Sequence, residues 1–215
     1  MFKYILFDFD GTLVDTNDLV ILALNETAKK FTGEELSSDK LNSILGKYLV
    51  EQMRCICESK HEEMALYYKE FYNKNKDIMT KYFEGTKEML GELKSSGCKI
   101  AVVSAKGRNG IEHGLEMFNL SGYVDAIVSA YDVENNKPHP EPALKALEML
   151  GGDTENALLV GDSPYDILCG KNAGIKTVLV GWTIFPKEEI IKLNPDYIVN
   201  TPLQLPDIVK YVSPE

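Results

Sequence analysis

The chain has 215 residues, 44% hydrophobic and 26% charged, enough for one large domain or a core domain carrying a smaller insertion. A formal net charge of -10 weighs against nucleic-acid binding, which rests on a basic face, and no apolar run reaches membrane-spanning length. Cys55, Cys57, Cys98 and Cys169 are too scattered for a disulfide framework, and Cys55-Ile56-Cys57 lacks zinc spacing. With no basic-apolar-small leader before Tyr4, the expectation is a cytoplasmic protein with reduced thiols.

Tyr4 to Phe7 is a short apolar run that fits a buried strand better than a helix. It ends in Asp8 and Asp10, one residue apart, then Gly11-Thr12. Side chains alternate along a strand, so the two aspartates share a face if the extended geometry persists, while Gly11 permits a sharp turn. Neighbouring carboxylates repel, and a hard divalent cation such as magnesium would offset this. A solvated Asp-Gly turn is the alternative. A calcium loop is excluded, because its twelfth position, counted from Asp8, is Leu19 rather than Glu.

From Asn17 to Met79 the pattern is helical. Leu19, Leu22, Ala23 and Ala28 recur at helical spacing, Ser37-Ser38-Asp39 reads as a helix start, and Gly46 interrupts. Val50 to Cys57 and Met64 to Phe71 are two further amphipathic stretches, and Tyr67, Tyr68, Phe71 and Tyr72 are expected to pack rather than cage a ligand. With no strand signal, residues 16–81 read as an inserted all-helical domain, and residues 1–15 with 82–215 as the core.

After Glu84-Gly85 strands and helices alternate. The predicted helices are Thr86 to Lys94, Ile111 to Phe118, Glu141 to Leu150, Pro164 to Asn172, Lys187 to Leu193 and Leu205 to Tyr211. The predicted strands are Lys99 to Ser104, Ala126 to Val128, Ala157 to Val160, Thr177 to Val180 and Tyr197 to Val199. This order implies an α/β fold, a Rossmann-like parallel sheet with helices on both faces, whose ligands sit beyond the carboxyl ends of the strands.

Three more clusters lie at those ends. Ser104, with Ala105-Lys106 after it, offers a hydroxyl and backbone N–H groups suited to a phosphate oxygen, or a plain helix cap. In Asn136-Lys137-Pro138-His139-Pro140-Glu141 the prolines stiffen a segment that would hold the Lys137 ammonium at a fixed point, a plain surface charge being the alternative. His139 has no second His or Cys to join it as a ligand and reads as structural. In Gly161-Asp162-Ser163-Pro164-Tyr165-Asp166, Pro164 opens a helix, with Asp162 in the loop before it and Asp166 one turn on.

In order and spacing, Asp8-Phe9-Asp10-Gly11-Thr12, Ser104, Lys137-Pro138-His139-Pro140 and Gly161 to Asp166 resemble the four motifs of the haloacid-dehalogenase-like hydrolases. The resemblance spans the chain, with the helical insert in the place of that family's cap domain. It is closest to the phosphoglycolate phosphatase, pyrophosphatase and β-phosphoglucomutase group. The resemblance implies a phosphatase using magnesium. Asp8 would be the nucleophile that becomes an aspartyl phosphate, and Asp10 would protonate the leaving oxygen and then activate water. Asp8, the Asp10 carbonyl and Asp162 would hold magnesium with support from Asp166, while Ser104, Ala105 through its backbone, and Lys137 would hold the transferring phosphoryl group. Ala105 and Glu84-Gly85 depart from the family's frequent Asn and Pro-Gly. The lack of an Arg near Gly46 counts against a mutase.

Within the resemblance, Asp10 argues against a dehalogenase. Lys47, beside Gly46 in the insert, is a candidate substrate contact, or a Schiff-base former in a phosphonate-cleaving relative. Gln52 and Arg54 are further candidates. A cap of about sixty residues is expected to exclude water around a small phosphorylated metabolite. A phosphoglycolate-type ester comes first and inorganic pyrophosphate second, with a non-enzymatic binding relative as the third reading. Oligomeric state is not encoded in any pattern found.

Overall fold

A computed structural model describes residues 1–211. Two compact units divide the chain: Met1–Val14 with the chain from Tyr82 onward, and Asp15–Lys81.

The first unit is built on β1 (Tyr4–Phe7), β4 (Lys99–Val103), β5 (Ala126–Val128), β6 (Ala157–Gly161), β7 (Lys176–Val180) and β8 (Tyr197–Val199). All pair in parallel, in the order β5-β4-β1-β6-β7-β8. Short β2 (Val14–Asp15) and β3 (Lys81–Tyr82) form a separate two-stranded sheet.

The central strands read as unbroken apolar runs because both faces are covered. Ile5, Phe7, Ile100, Val102, Leu158 and Val160 face one core, shared with α5 (Thr86–Ser95), α6 (Arg108–Met117) and α10 (Leu205–Tyr211) through Leu90, Ile111 and Val209. Their neighbours Leu6, Ala101, Val103 and Leu159 face the other, with Ala146 and Leu150 of α7 (Glu141–Leu150) and Cys169 of α8 (Pro164–Ala173). This is the two-residue alternation of a strand, with each buried Leu, Ile or Phe contributing roughly 1.5–3 kcal/mol. A short α9 (Lys187–Ile191) packs through Ile190 against Ile167 and Leu179.

Register sets the site. Phe7 pairs with Val102 on one side and Val160 on the other. β1 ends there, while β4 and β6 run one residue further, so Asp8, Ser104 and Asp162 emerge side by side at the carboxyl edge. The chain builds β4 and β5 on one flank of β1, then returns to start β6 on the other. This reversal opens the crevice at which such sheets bind ligands.

The second unit, described by itself, is all-helical apart from its share of the small sheet. It comprises α1 (Asn17–Thr32), α2 (Ser38–Ile44), α3 (Leu49–Ile56) and α4 (His61–Met79). Ser37 caps α2, its Oγ accepting from the Lys40 amide. α1 and α4 pack along each other, with the Phe31 and Tyr67 rings edge to face at 6.0 Å and Tyr68 stacked on Tyr72 at 5.9 Å. Tyr67, Tyr68 and Tyr72 are packing residues, as their spacing implied.

Candidate active site

Asp8 follows β1 directly, its amide held by the Val160 carbonyl at 2.9 Å. The extended geometry does not persist beyond it. The amides of Leu13 and Val14 both turn back to the Phe9 carbonyl, Phe9 is buried, and Gly11 takes φ 79°. The chain has left the strand by Asp10, so the condition for strict alternation is not met, although the Asp10 charge still acts on Asp8. The Asp10 carboxylate pairs instead with Lys106, whose Nζ donates to Oδ1 at 2.7 Å.

Three carboxylates do converge. One oxygen from each of Asp8, Asp162 and Asp166 lies within 4.8 Å of the others, and all three residues are buried. Lys137 links two of them, its Nζ donating to Asp8 Oδ1 at 2.8 Å, Asp166 Oδ1 at 2.6 Å and the Val103 carbonyl at 3.0 Å. The Val103 bond brings the ammonium to the end of β4, beside Ser104.

Each group has a local support. Ser163 and Asp166 form a capping box at the start of α8: the Ser163 amide and Oγ donate to Asp166 Oδ2 at 3.0 and 2.6 Å. Asp166 thus points one oxygen at its own helix and the other at Lys137. Asp162 accepts from Thr12 Oγ1 at 3.4 Å, and its carbonyl from Thr183 Oγ1 at 2.6 Å. A side chain at Gly11 would put Cβ 2.5 Å from Asp162 Oδ2, so this glycine serves both the turn and the space for that carboxylate. The Lys137 loop is tied to α8 by Cys169 Sγ on the His139 carbonyl (3.1 Å) and Asn172 Nδ2 on the Pro138 carbonyl (2.9 Å).

Burial dominates the electrostatics. It raises the Asp8 carboxyl to about 7 against the pull of Lys137, with the Asp166 charge adding to the rise. Burial, then the charges of Asp8 and Asp166, pushes Asp162 well above the usual carboxylate range. Burial would lower Lys137, yet Asp166 and Asp8 outweigh it and hold the ammonium protonated beyond lysine's ordinary range.

Three carboxylates against one ammonium, with oxygen-only donors, is a donor set that fits a hard divalent cation. Ser104 is buried at the neighbouring strand end, its Oγ accepting from the Lys106 amide at 3.3 Å. Ala105 follows it, half-buried. Lys47 belongs to the helical unit, where its Nζ lies 3.8 Å from Cys55 Sγ.

The haloacid dehalogenase-like hydrolase profile matches residues 5–180. The chain belongs to the haloacid dehalogenase-like hydrolases. A Caldanaerobacter subterraneus protein provisionally named pyrophosphatase PpaX is 40% identical over 206 residues, covering 96% of this chain and 94% of that protein. The pyrophosphatase PpaX of Bacillus mycoides is 36% identical over 209 residues and 97% of each chain. Among solved structures, a Bacteroides fragilis protein provisionally named a haloacid dehalogenase-like hydrolase superposes with a TM-score of 0.88 at 26% identity, over 95% of this chain and 100% of that one. The haloacid dehalogenase-like core accounts for the six-stranded parallel sheet and the helices on both its faces.

Sequence reasoning missed Lys106, Thr12, Thr183, Ser163, Cys169 and Asn172 as supports of this haloacid dehalogenase-like site. Ser163 alone carried a readable signal, a Ser three residues before an acidic residue at a helix start. The others lie far in sequence from what they hold, Lys106 by 96 residues from Asp10 and Thr12 by 150 from Asp162.

Proposed function

We propose that the protein is a magnesium-dependent phosphohydrolase in which Asp8 takes the phosphoryl group from a small substrate and water then releases it. The observation that carries this is the buried convergence of Asp8, Asp162 and Asp166 around Lys137.

Asp8 and Asp162 hold the cation with the Asp10 carbonyl, and Asp166, engaged by Lys137 and Ser163, supports them. Magnesium there supplies positive charge that offsets the repulsion between Asp8 and an incoming phosphate. Lys137 and Ser104, with the Ala105 backbone, orient the phosphoryl oxygens. An Asp8 oxygen bonds phosphorus as the bond to the leaving oxygen breaks, and Asp10 gives that oxygen its proton. Asp10 then takes a proton from water as the water oxygen bonds phosphorus and the bond from phosphorus to the Asp8 oxygen breaks, returning the carboxylate. The helical unit is proposed as the cap, with Lys47 as a candidate contact to substrate.

Two substrate classes compete. Inorganic pyrophosphate gains support from the PpaX pyrophosphatases, relatives at 36–40% identity over nearly the whole chain. A phosphoglycolate-type ester rests on the sequence resemblance. Phosphate release from pyrophosphate, phosphoglycolate, sugar phosphates and nucleotides, with magnesium and with chelator, tests the reading. We expect magnesium-dependent release, highest with pyrophosphate. No release from any of them refutes the proposal.

The carboxyls add a pH dependence. An acid raised on folding contributes stability that is present below its unfolded value near 3.8 and lost as pH climbs towards about 7, so ionised Asp8 weakens the metal-free fold. Protons and magnesium compete for Asp8 and Asp162. The rise in melting temperature on adding magnesium is therefore expected to be small at pH 5.5 and full at pH 8. An equal rise at both would count against these ligands.

A further inference from the structure

We infer that Lys106 is a positioning residue for Asp10, holding its carboxyl so that one chosen oxygen faces the leaving group. The inference rests on the acid-base role proposed for Asp10.

The Lys106 backbone is fixed at both ends. Its amide donates to Ser104 Oγ at 3.3 Å, and its carbonyl accepts from the Ala130 amide at 3.1 Å. From there the side chain reaches Asp10 Oδ1 at 2.7 Å, with Nζ 5.5 Å over the Phe9 ring. The two side chains are 17% and 28% exposed, so the pair is partly shielded compared with a surface ion pair.

The facing helix is shaped to admit it. A Cβ on Gly110 would lie 2.9 Å from Lys106 Cε and 3.3 Å from its Cδ and Cγ. One turn on, a Cβ on Gly114 would lie 2.7 Å from Phe9 Cζ. Glycine inside a helix is unfavourable relative to alanine, and residues four apart share a face. α6 therefore presents a bare strip against which the Phe9 ring and the Lys106 stem lie. Through these two contacts the helix lies against the residue preceding Asp10 and against the lysine that pairs with it.

A carboxyl anchored through Oδ1 cannot turn about its last torsion without breaking the ion pair. Proton exchange is then assigned to the oxygen that Lys106 does not hold. That oxygen gives its proton to the departing oxygen while the phosphorus bond to it breaks, and in the second half it takes one from the attacking water. A loosened Asp10 delivers the proton poorly, which matters most where the leaving group is a strong base.

The test is kcat/KM across 2,4-dinitrophenyl, 4-nitrophenyl and phenyl phosphate, whose leaving groups need progressively more protonation. Lys106→Met is expected to lose about 10- to 100-fold on phenyl phosphate and less than about 3-fold on the dinitrophenyl ester. Lys106→Arg should recover much of the loss. Gly110→Ala pushes the lysine stem aside without removing charge and is expected to steepen the series in the same direction, more weakly, with no fall in melting temperature. Equal losses across the series for Lys106→Met overturn the inference. Asp10→Asn separates the two ideas: if it fails to steepen the series, the acid role falls and the inference with it. If it steepens the series and Lys106→Met does not, only the inference falls.

Discussion

Asp8→Asn is expected to lower kcat for phosphate release by about 10⁴-fold or more, because an amide cannot attack phosphorus to form the acyl phosphate. The fold should survive. The Asn oxygen can accept from the Lys137 ammonium as Asp8 Oδ1 does, and the variant no longer places an ionised carboxylate in a buried position. Melting curves at pH 8 without metal should match the parent or lie above it, while the stabilisation by added magnesium shrinks. Retention of more than a few per cent of the parent rate would assign the nucleophile elsewhere.

Lys137→Met is expected to cost both activity and stability. The ammonium is the charge that Asp8 and Asp166 share, at 2.8 and 2.6 Å, and it is buried with them. Removing one member of a buried ionic set leaves the rest uncompensated, at about 3–5 kcal/mol. In the proposed turnover the variant would also lack a fixed donor to the transferring phosphoryl oxygens, an expected loss on the order of 10²–10³-fold. Thermal melts with and without magnesium separate the two effects. The divalent charge should restore part of the stability and little of the rate, whereas an unchanged melt and rate would remove Lys137 from the site.

Much of the architecture was legible because it is written locally. Ile100–Val103 and Ala157–Val160 are continuous apolar runs, as strands covered on both faces must be, and both fall within strands of the sheet. The α7 helix has the predicted bounds, with Pro140 before it and Gly151 in the left-handed conformation after it. Where polar residues continue a helix, the reading fell short. α4 runs from His61 to Met79 rather than Met64 to Phe71, and α6 begins at Arg108 rather than Ile111, because exposed turns carry no apolar period. The site divides in the same way. Asp8, Asp162, Ser104 and Lys137 each stand at a strand end or in a proline-braced loop, and Asp166 in the first turn of the helix that Pro164 opens, so their positions were readable. The partner of Asp10 was not, since nothing near Lys106 in sequence announces a contact 96 residues away.

The sequence by itself determined the alternation of strands and helices, the helical insert, and where the candidate acids, serine and lysine stand along the chain, because periodicity and turn residues act over a few positions. Only the tertiary structure decided that β6 returns to the far side of β1, and with it which acids share one buried space. It also decided that Asp10 turns to Lys106, and that burial drives Asp8 and Asp162 upward while Lys137 stays charged. Those outcomes depend on distance and desolvation between segments far apart in the chain, and local pattern contains neither.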